Sequence, residues 1–179
     1  MKKMWSSLFF FCASLLVVVP SLNAQAAYTA EQKTRIQAGG GAAIISPDYT
    51  EGNVIGFSGW ADYDFSKYVG VEFSTHLGEF ITPGDLTENS YLIGPRLTYR
   101  RHKFTFYGKA LVGRATITNQ DLNQSSSFNV IAFGGGVEYR ILRKINIRLI
   151  DFEQQQWPDF KPNALSPTAA TIGVSYIIH

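Results

Sequence analysis

The chain has 179 residues, of which 16 are Lys or Arg and 14 are Asp or Glu. Two of the basic residues lie at its start, and without them 14 basic residues balance 14 acidic ones, which gives no support for a nucleic-acid partner. The single cysteine, Cys12, excludes an intramolecular disulfide.

The first residues have the layout of a cleavable secretory signal. Two lysines precede an apolar run from Leu8 to Val19, and small residues follow at Ala24 and Ala26. This run of about 12 residues is shorter than the ~20 that a membrane-spanning helix needs. We therefore predict a signal peptide over residues 1–26, which includes the cysteine, and a single domain over residues 27–179.

No later segment is apolar enough for a spanning helix, but apolar and polar residues alternate repeatedly along the chain. Such alternation gives a β-strand two unlike faces. A closed β-barrel is the other structure that can cross a bilayer. The pattern predicts eight strands, at Arg35–Ile45, Val54–Asp64, Tyr68–Leu77, Ser90–Arg100, Phe104–Ala115, Phe128–Arg140, from Ile145 onward, and at Ser166–His179.

Two of these strands contain an irregularity. Pro95 lies on the apolar face of the fourth strand and cannot donate a hydrogen bond to a neighbour, so we expect a local bulge there. In the seventh strand the alternation slips near its middle. A bulge at Leu149 or Ile150 would return Asp151 and Glu153 to the polar face.

Short and long connections alternate between the strands. Three short turns centre on Ser66, on His102 and on Leu142. The long connections are Ser46–Asn53, Gly78–Asn89, Thr116–Ser127 and Gln155–Leu165. Short turns on one rim and long loops on the other are typical of outer-membrane barrels. The sequence therefore predicts an all-β fold, an eight-stranded antiparallel up-and-down transmembrane β-barrel, with both ends of the chain on the short-turn side.

The polar faces of the predicted strands carry charges of both signs. An eight-stranded barrel is just wide enough for side chains to fill it, and an unpaired charge inside would carry a large desolvation penalty. We predict an ion-pair network that plugs the lumen. A gate, in which the acids exchange their cationic partners and let ions pass, is the alternative. The network residues are Glu72, Arg96, Lys109, Glu138 and Arg148.

The alternating strands, the glycine-rich first strand and the last strand, TIGVSYIIH, carry a family resemblance. The region from Arg35 to His179 resembles the small eight-stranded outer-membrane β-barrels of the outer-membrane protein A and X type. The resemblance implies a location in the outer membrane of a Gram-negative bacterium. It also implies a monomer without a cofactor, in contact with outer-membrane lipid and lipopolysaccharide.

The same resemblance implies an assembly signal in the last strand. The barrel-assembly machinery reads a polar, glycine, hydrophobic, hydrophobic pattern there. The chain departs from its relatives at His179, where they usually end in an aromatic residue. The residues that match the pattern are Thr171, Gly173, Tyr176 and Ile178.

An enzyme is the main rival class, since some small barrels modify lipid A with a serine and a histidine. The chain offers His76, His102 and His179, and its sequence places none of them beside the serine and base that such catalysis needs. No metal-ligand spacing or phosphate-binding glycine loop is present. We therefore predict that the protein is not an enzyme and holds no metal.

These observations predict a structural role in envelope integrity, or a role in surface contact. A small gated or passive channel for ions or solutes is the second hypothesis. A soluble lipocalin-like barrel is the architectural alternative. The long connections are rich in acidic residues, which would either be plainly solvated or bind lipopolysaccharide phosphates through divalent cations.

Overall fold

Strands make up almost all of the part of the chain that the computed structural model describes. The described residues are 34–48, 53–78, 86–119, 124–160 and 164–178. The chain divides into two units, Met1–Glu31 and Gln32–His179, and every described element lies in the second. The predicted signal peptide lies outside the described residues. Among the described residues no helix is long and apolar enough to span a membrane.

Eight antiparallel strands form one closed sheet. Each strand pairs with the next along the chain, and β8 pairs with β1, so the sheet has no free edge. The predicted eight-stranded antiparallel barrel is therefore confirmed. The strands are β1 Arg35–Ser46, β2 Val54–Asp64, β3 Val69–Gly78, β4 Leu86–Arg101, β5 Phe104–Asn119, β6 Gln124–Leu142, β7 Ile145–Gln156 and β8 Thr168–Ile177.

The barrel is apolar outside and polar inside. On the outer wall, Phe57, Leu97 and Ile172 are 60%, 62% and 60% exposed. Inside, Arg96 is fully buried, although it is the direct neighbour of Leu97. A soluble monomer rarely exposes so much contiguous apolar surface. This distribution is the reverse of a soluble lipocalin-like barrel and fits a wall that faces lipid.

The structure accommodates Pro95 without a bulge, so the predicted bulge is wrong. Pro95 pairs with Val71 on β3, but on the β5 side the pairing is interrupted between Ile93 and Arg96 and resumes in the same register. The missing N–H therefore falls in the interrupted stretch. Gly94 permits a close approach there, because a Cβ on it would lie only 2.1 Å from the carbonyl oxygen of Ala110.

The predicted bulge in β7 is confirmed. The register with β8 shifts between Arg148 and Asp151. Leu149 and Ile150 both face outward, and Asp151 returns to the interior with 2% exposure. The two adjacent outward residues restore the alternation, so the rest of the strand places every second side chain in the lumen.

Three neighbouring strands are longer than the sequence pattern predicts. β4, β5 and β6 have 16, 16 and 19 residues, whereas a membrane-spanning strand needs about 9–11. The predicted loop Thr116–Ser127 is mostly paired strand, up to Asn119 opposite Gln124. Its Ser and Thr residues show no apolar alternation because a hairpin beyond the membrane meets water on both faces. The loop predicted at Gly78–Asn89 also ends earlier, at the start of β4.

The turn between β4 and β5 contains the one non-glycine residue with positive φ among the described residues, His102, at 57°. A side chain in this conformation is strained. We expect His102→Gly to raise the free energy of unfolding by about 1 kcal/mol, measured by denaturant unfolding in lipid vesicles. The neighbouring change Lys103→Gly relieves no such strain and should give no gain; equal effects of the two changes would contradict this explanation.

Candidate functional site

The five predicted network residues meet inside the barrel. Each is at most 6% exposed. The Lys109 Nζ lies 2.9 Å from Glu72 Oε1, and Arg96 Nη2 lies 2.8 Å from Glu138 Oε1. Arg148 joins the two pairs, because its Nη2 is 3.2 Å from Glu138 Oε1 and its Nη1 is 3.4 Å from Glu72 Oε1. Residues from five strands thus form one ion-pair network.

Three further carboxylates belong to this network. Arg96 Nη1 lies 2.5 Å from Asp62 Oδ2, and Lys109 Nζ lies 2.9 Å from Asp151 Oδ1 and 3.1 Å from Glu153 Oε2. Their alternation places all three on the polar face, and this signal was available in the sequence. Only the fold shows that they converge on the same cations. We call these eight residues the lumen network.

The lumen network has five carboxylates but only three cations, so neutral donors supply the remaining hydrogen bonds. Gln37 Nε2 donates to Asp62 Oδ2 at 2.5 Å and to Glu138 Oε2 at 3.0 Å. Asn146 Nδ2 donates to Gln37 Oε1 at 2.9 Å and orients that amide. The Tyr107 hydroxyl donates to Asp151. These bonds reduce the cost of burying carboxylates that share their cations.

Two aromatic rings lie against the buried guanidinium groups. The Cζ of Arg148 is 4.0 Å from the ring centroid of Trp60, and that of Arg96 is 4.2 Å from the ring centroid of Tyr107. A cation over an aromatic face is favourable, more so when both are removed from water. Trp60 and Tyr107 therefore add to the stabilisation that the carboxylates give these two arginines.

Glycines make room for these rings. A Cβ on Gly39 or Gly173 would lie 2.7 Å from the Trp60 ring, and one on Gly136 would lie 2.6 Å from the Tyr107 hydroxyl oxygen. These contacts are closer than van der Waals packing allows. Glycine is therefore required at these positions of β1, β6 and β8, because the lumen has no room there for a larger side chain.

We expect Gly173→Ala to lower the free energy of unfolding by about 1–3 kcal/mol, because the new methyl group would overlap Trp60 and the backbone of β1. Denaturant unfolding of protein refolded in lipid vesicles measures this without the assembly machinery. Gly40→Ala is the matched control, because its Cβ would have only an ordinary 3.4 Å contact, with Ser58 O. Equal losses would contradict the packing role.

The first two predicted assembly-signal residues lie on the inner side of the barrel wall, and the last two lie on the outer side. Thr171 faces the lumen with 2% exposure, and Gly173 lies under Trp60. Tyr176 and Ile178 face outward, 50% and 58% exposed. Recognition by the assembly machinery stays a prediction, and His179 lies outside the described residues.

An apolar cluster fills the lumen on the loop side of the network. Its members come from β4, β5, β6 and the segment after β7, and all are at most 7% exposed. The ring of Phe128 stacks on that of Trp157, with centroids 5.9 Å apart. The sequence pattern did not single this cluster out. We call it the apolar cap; it comprises Leu92, Leu111, Ala115, Val130, Ala132, Trp157 and Leu165.

Hydrogen bonds connect the apolar cap to the lumen network. Trp157 Nε1 donates to Gln155 Oε1 at 2.9 Å, and Gln155 Nε2 donates to Glu153 Oε1 at 2.9 Å. All three side chains face inward because the β7 bulge set their phase. The interior is therefore one continuous packed column of charged, polar and apolar side chains.

His76 lies beside a serine and a carboxylate. The prediction that no histidine has such neighbours is therefore wrong for this residue. Its Nδ1 lies 3.4 Å from Ser90 Oγ and 3.8 Å from Glu153 Oε1. A catalytic relay needs the nucleophile and the carboxylate on different ring nitrogens, whereas both approach the same one here. His76 is also 3% exposed, in the lumen. This geometry does not support catalysis.

Acidic residues at the loop end have structural contacts. Asp48 Oδ2 accepts a hydrogen bond from the Ser166 N–H at 3.1 Å, and Asp159 Oδ2 accepts one from Asn129 Nδ2 at 2.6 Å. These carboxylates hold neighbouring segments together. Lipopolysaccharide binding through divalent cations stays a prediction.

Comparisons with known proteins agree with this architecture. The N-terminal barrel of Pseudomonas aeruginosa OprF is 13% identical, with 82% of this chain and 100% of that one covered and a TM-score of 0.61. Neisserial surface protein A is 15% identical, with 80% and 96% covered and a TM-score of 0.56. Ail, the attachment invasion locus protein of Yersinia pestis, is 21% identical, with 81% and 97% covered and a TM-score of 0.50.

Comparison with curated protein sequences gives no significant match. The sequence profile of the outer membrane protein beta-barrel domain matches residues 13–177, which is most of the chain. Members of this family are β-barrels of the outer membrane of Gram-negative bacteria. On that match, and on the closed barrel with its apolar wall, the chain belongs to the outer membrane protein β-barrel domain family.

Proposed function

We propose that the protein is a non-enzymatic, non-conducting outer-membrane barrel that acts through its outer surface, in envelope integrity or surface contact. The filled lumen carries this proposal. A water-filled pore would expose the residues that line it, yet Glu72 and Arg96 in the lumen network and Trp157 in the apolar cap are all fully buried. An interior closed at two levels leaves the ends and the outer wall as the surfaces available for function.

The extended hairpin of β5 and β6 is the element best suited to surface contact. Cross-strand hydroxyl pairs link it: Thr116 Oγ1 and Ser127 Oγ are 3.1 Å apart, and Thr118 Oγ1 and Ser125 Oγ are 3.4 Å apart. A paired hairpin loses less conformational entropy on binding than a loop of equal length. Ail and Neisserial surface protein A, whose names refer to attachment and to the surface, share the fold.

Conductance and adhesion together test the proposal. We expect folded protein, identified by its heat-modifiable gel migration, to give no discrete current steps in planar bilayers. We also expect cells that display the barrel to adhere more strongly to protein-coated surfaces and to one another than cells without it. Adhesion no greater than that of cells without the barrel would refute the contact role, and regular current steps would refute the closed lumen.

A variant with a shortened β5–β6 hairpin provides the matched control. Thr116 pairs with Ser127, so replacing residues 117–126 by Asn-Gly would close the hairpin with a two-residue turn in the native register. We expect this variant to fold, because it keeps every residue of the lumen network and of the apolar cap and removes only Ile117 from the apolar side chains packed against that cap. It should lose the gain in adhesion; unchanged adhesion would exclude the hairpin as the contact element.

A gated channel is the second candidate, and shared ion pairs favour it. Arg148 contacts four carboxylates, those of Asp62, Glu72, Glu138 and Asp151, at 2.9–3.4 Å. A cation with several acceptors can change partners at a small energetic cost. Current steps that change in frequency in Glu72→Gln would support this candidate over the closed barrel.

A further inference from the structure

The rim of the short turns carries a concentration of positive charge. Its six exposed cations are Lys67, Arg101, Lys103, Arg140, Arg143 and Lys144, which we call the basic rim. Asp64, the last residue of β2, lies at the same end of the barrel, but it is 2% exposed and is bound by Arg100. No exposed acidic side chain of the described residues lies at this end of the barrel. Within the described part of the chain, the basic rim is therefore a positively charged surface with no exposed acidic side chain beside it.

Each of the three short turns places a lysine over a tyrosine ring. The Nζ of Lys67 is 5.5 Å from the ring centroid of Tyr68, that of Lys103 is 5.9 Å from Tyr139, and that of Lys144 is 5.8 Å from Tyr176. A cation–π contact orients an ammonium group but leaves its charge and its other N–H donors available. The same arrangement thus occurs three times around the rim.

The backbone of each of these lysines is also held in place. The Lys67 carbonyl accepts hydrogen bonds from Thr98 Oγ1 at 3.1 Å and from Arg100 Nη1 at 2.9 Å. The Lys103 and Lys144 carbonyls each accept one at 2.8 Å from a backbone N–H of the adjacent strand, that of Arg140 in β6 and that of Ile177 in β8. Three preorganised ammonium groups result, which lowers the entropic cost of binding an anion.

The tyrosines show where these ammonium groups lie relative to a membrane. Tyr68 and Tyr176 face outward and are 53% and 50% exposed. Outward tyrosines at the rim of a barrel lie at the level of the lipid headgroups. The lysines over them therefore lie at the depth of the lipid phosphates. One of them lies on each of the three hairpins of this rim, and such a spacing around the barrel suits several separate headgroups better than one compact partner.

We propose that the basic rim binds the phosphates of anionic glycerophospholipids, of the phosphatidylglycerol class, in the leaflet that meets the short-turn end. Charge complementarity and the three outward ammonium groups support this occupant. The proposal depends on the membrane location and not on the surface-contact role. It gives the barrel a lipid-binding collar that fixes its depth and its orientation.

Spin-labelled lipids test the proposal on the folded barrel in phosphatidylcholine bilayers. We expect labelled phosphatidylglycerol to associate with the protein about three-fold more strongly than labelled phosphatidylcholine. The preference should fall to about one in ~1 M salt, where charges are screened within ~3 Å. It should also disappear in the triple variant Lys67→Gln, Lys103→Gln, Lys144→Gln. Gel migration without heating verifies that each variant is folded.

Two controls separate this effect from general electrostatics. The triple Lys→Arg variant keeps the charge and should keep the preference. Arg114→Gln removes an exposed cation at the opposite end and should also keep it. Equal association of both lipids with the natural chain, or a preference unchanged in the triple Gln variant, would overturn the proposal. So would displacement of phosphatidylglycerol from the rim by lipid A, which would assign the rim to the other leaflet.

Discussion

Replacing Arg148 by Ala is expected to destabilise the barrel by about 3–5 kcal/mol, the usual cost of removing one partner from a buried charge network. Arg148 is 1% exposed, and its loss leaves four carboxylates with weaker compensation. The variant also loses the contact of the guanidinium with Trp60. Denaturant unfolding in lipid vesicles, followed by gel migration, measures the change.

Two further variants make this prediction specific. Arg114→Ala removes an exposed arginine and should change stability by less than about 0.5 kcal/mol. Adding Asp151→Asn to Arg148→Ala should cost less than the sum of the two single changes, because it removes a carboxylate that Arg148 contacts at 2.9 Å. A loss below about 1 kcal/mol for Arg148→Ala would mean that the lumen network does not depend on this arginine.

Replacing Ile93 by Arg is expected to cost about 2–4 kcal/mol, the measured range for a cation on the lipid face near the middle of a bilayer. Ile93 is 52% exposed and pairs with Phe73 and Val112, which also face outward. In a soluble barrel the same change would place a charge in water at almost no cost. Unfolding measurements in vesicles therefore report directly on the lipid-facing wall.

Depth provides the control for this prediction. Tyr91→Arg, two residues nearer the rim on the same face, should cost only about 0–1 kcal/mol in an Arg114→Gln background, because the arginine can reach the headgroups and its cross-strand partner is then uncharged. Ile93→Leu keeps the apolar surface and should be nearly neutral. Equal costs for the two arginine variants would show that the wall does not cross a bilayer at Ile93.

The extent of the sequence signal differs between regions of the barrel. The alternation predicted the strand number, the facing of Arg96 and Leu97, and the β7 bulge, because two unlike environments impose a strict period of two. It missed the extension of β4, β5 and β6. Water surrounds both faces of these extensions, so neither face selects apolar residues. The alternation that indicates a strand is therefore absent there.

The lumen shows a second limit. Glu72 and Arg148 are 76 positions apart in sequence, and their alternation predicts only that both face inward. The contact between these two residues depends on the closure of the barrel, because β3 and β7 are not neighbours in the sheet. The position of the glycines shows the same limit, since Gly173 is needed because Trp60 of β2 and the backbone of β1 both lie against it.

By itself, the sequence determined the class of fold, the polarity of the two faces and the acidic character of the long connections. All three follow from the local chain and from the environments on its two sides. Only the tertiary structure decided that five carboxylates share three cations, that an apolar cap lies on the loop side of them, and that three lysines lie over tyrosines at the rim. Those contacts depend on the closure and register of the barrel, because closure is what brings side chains from distant strands within reach of one another.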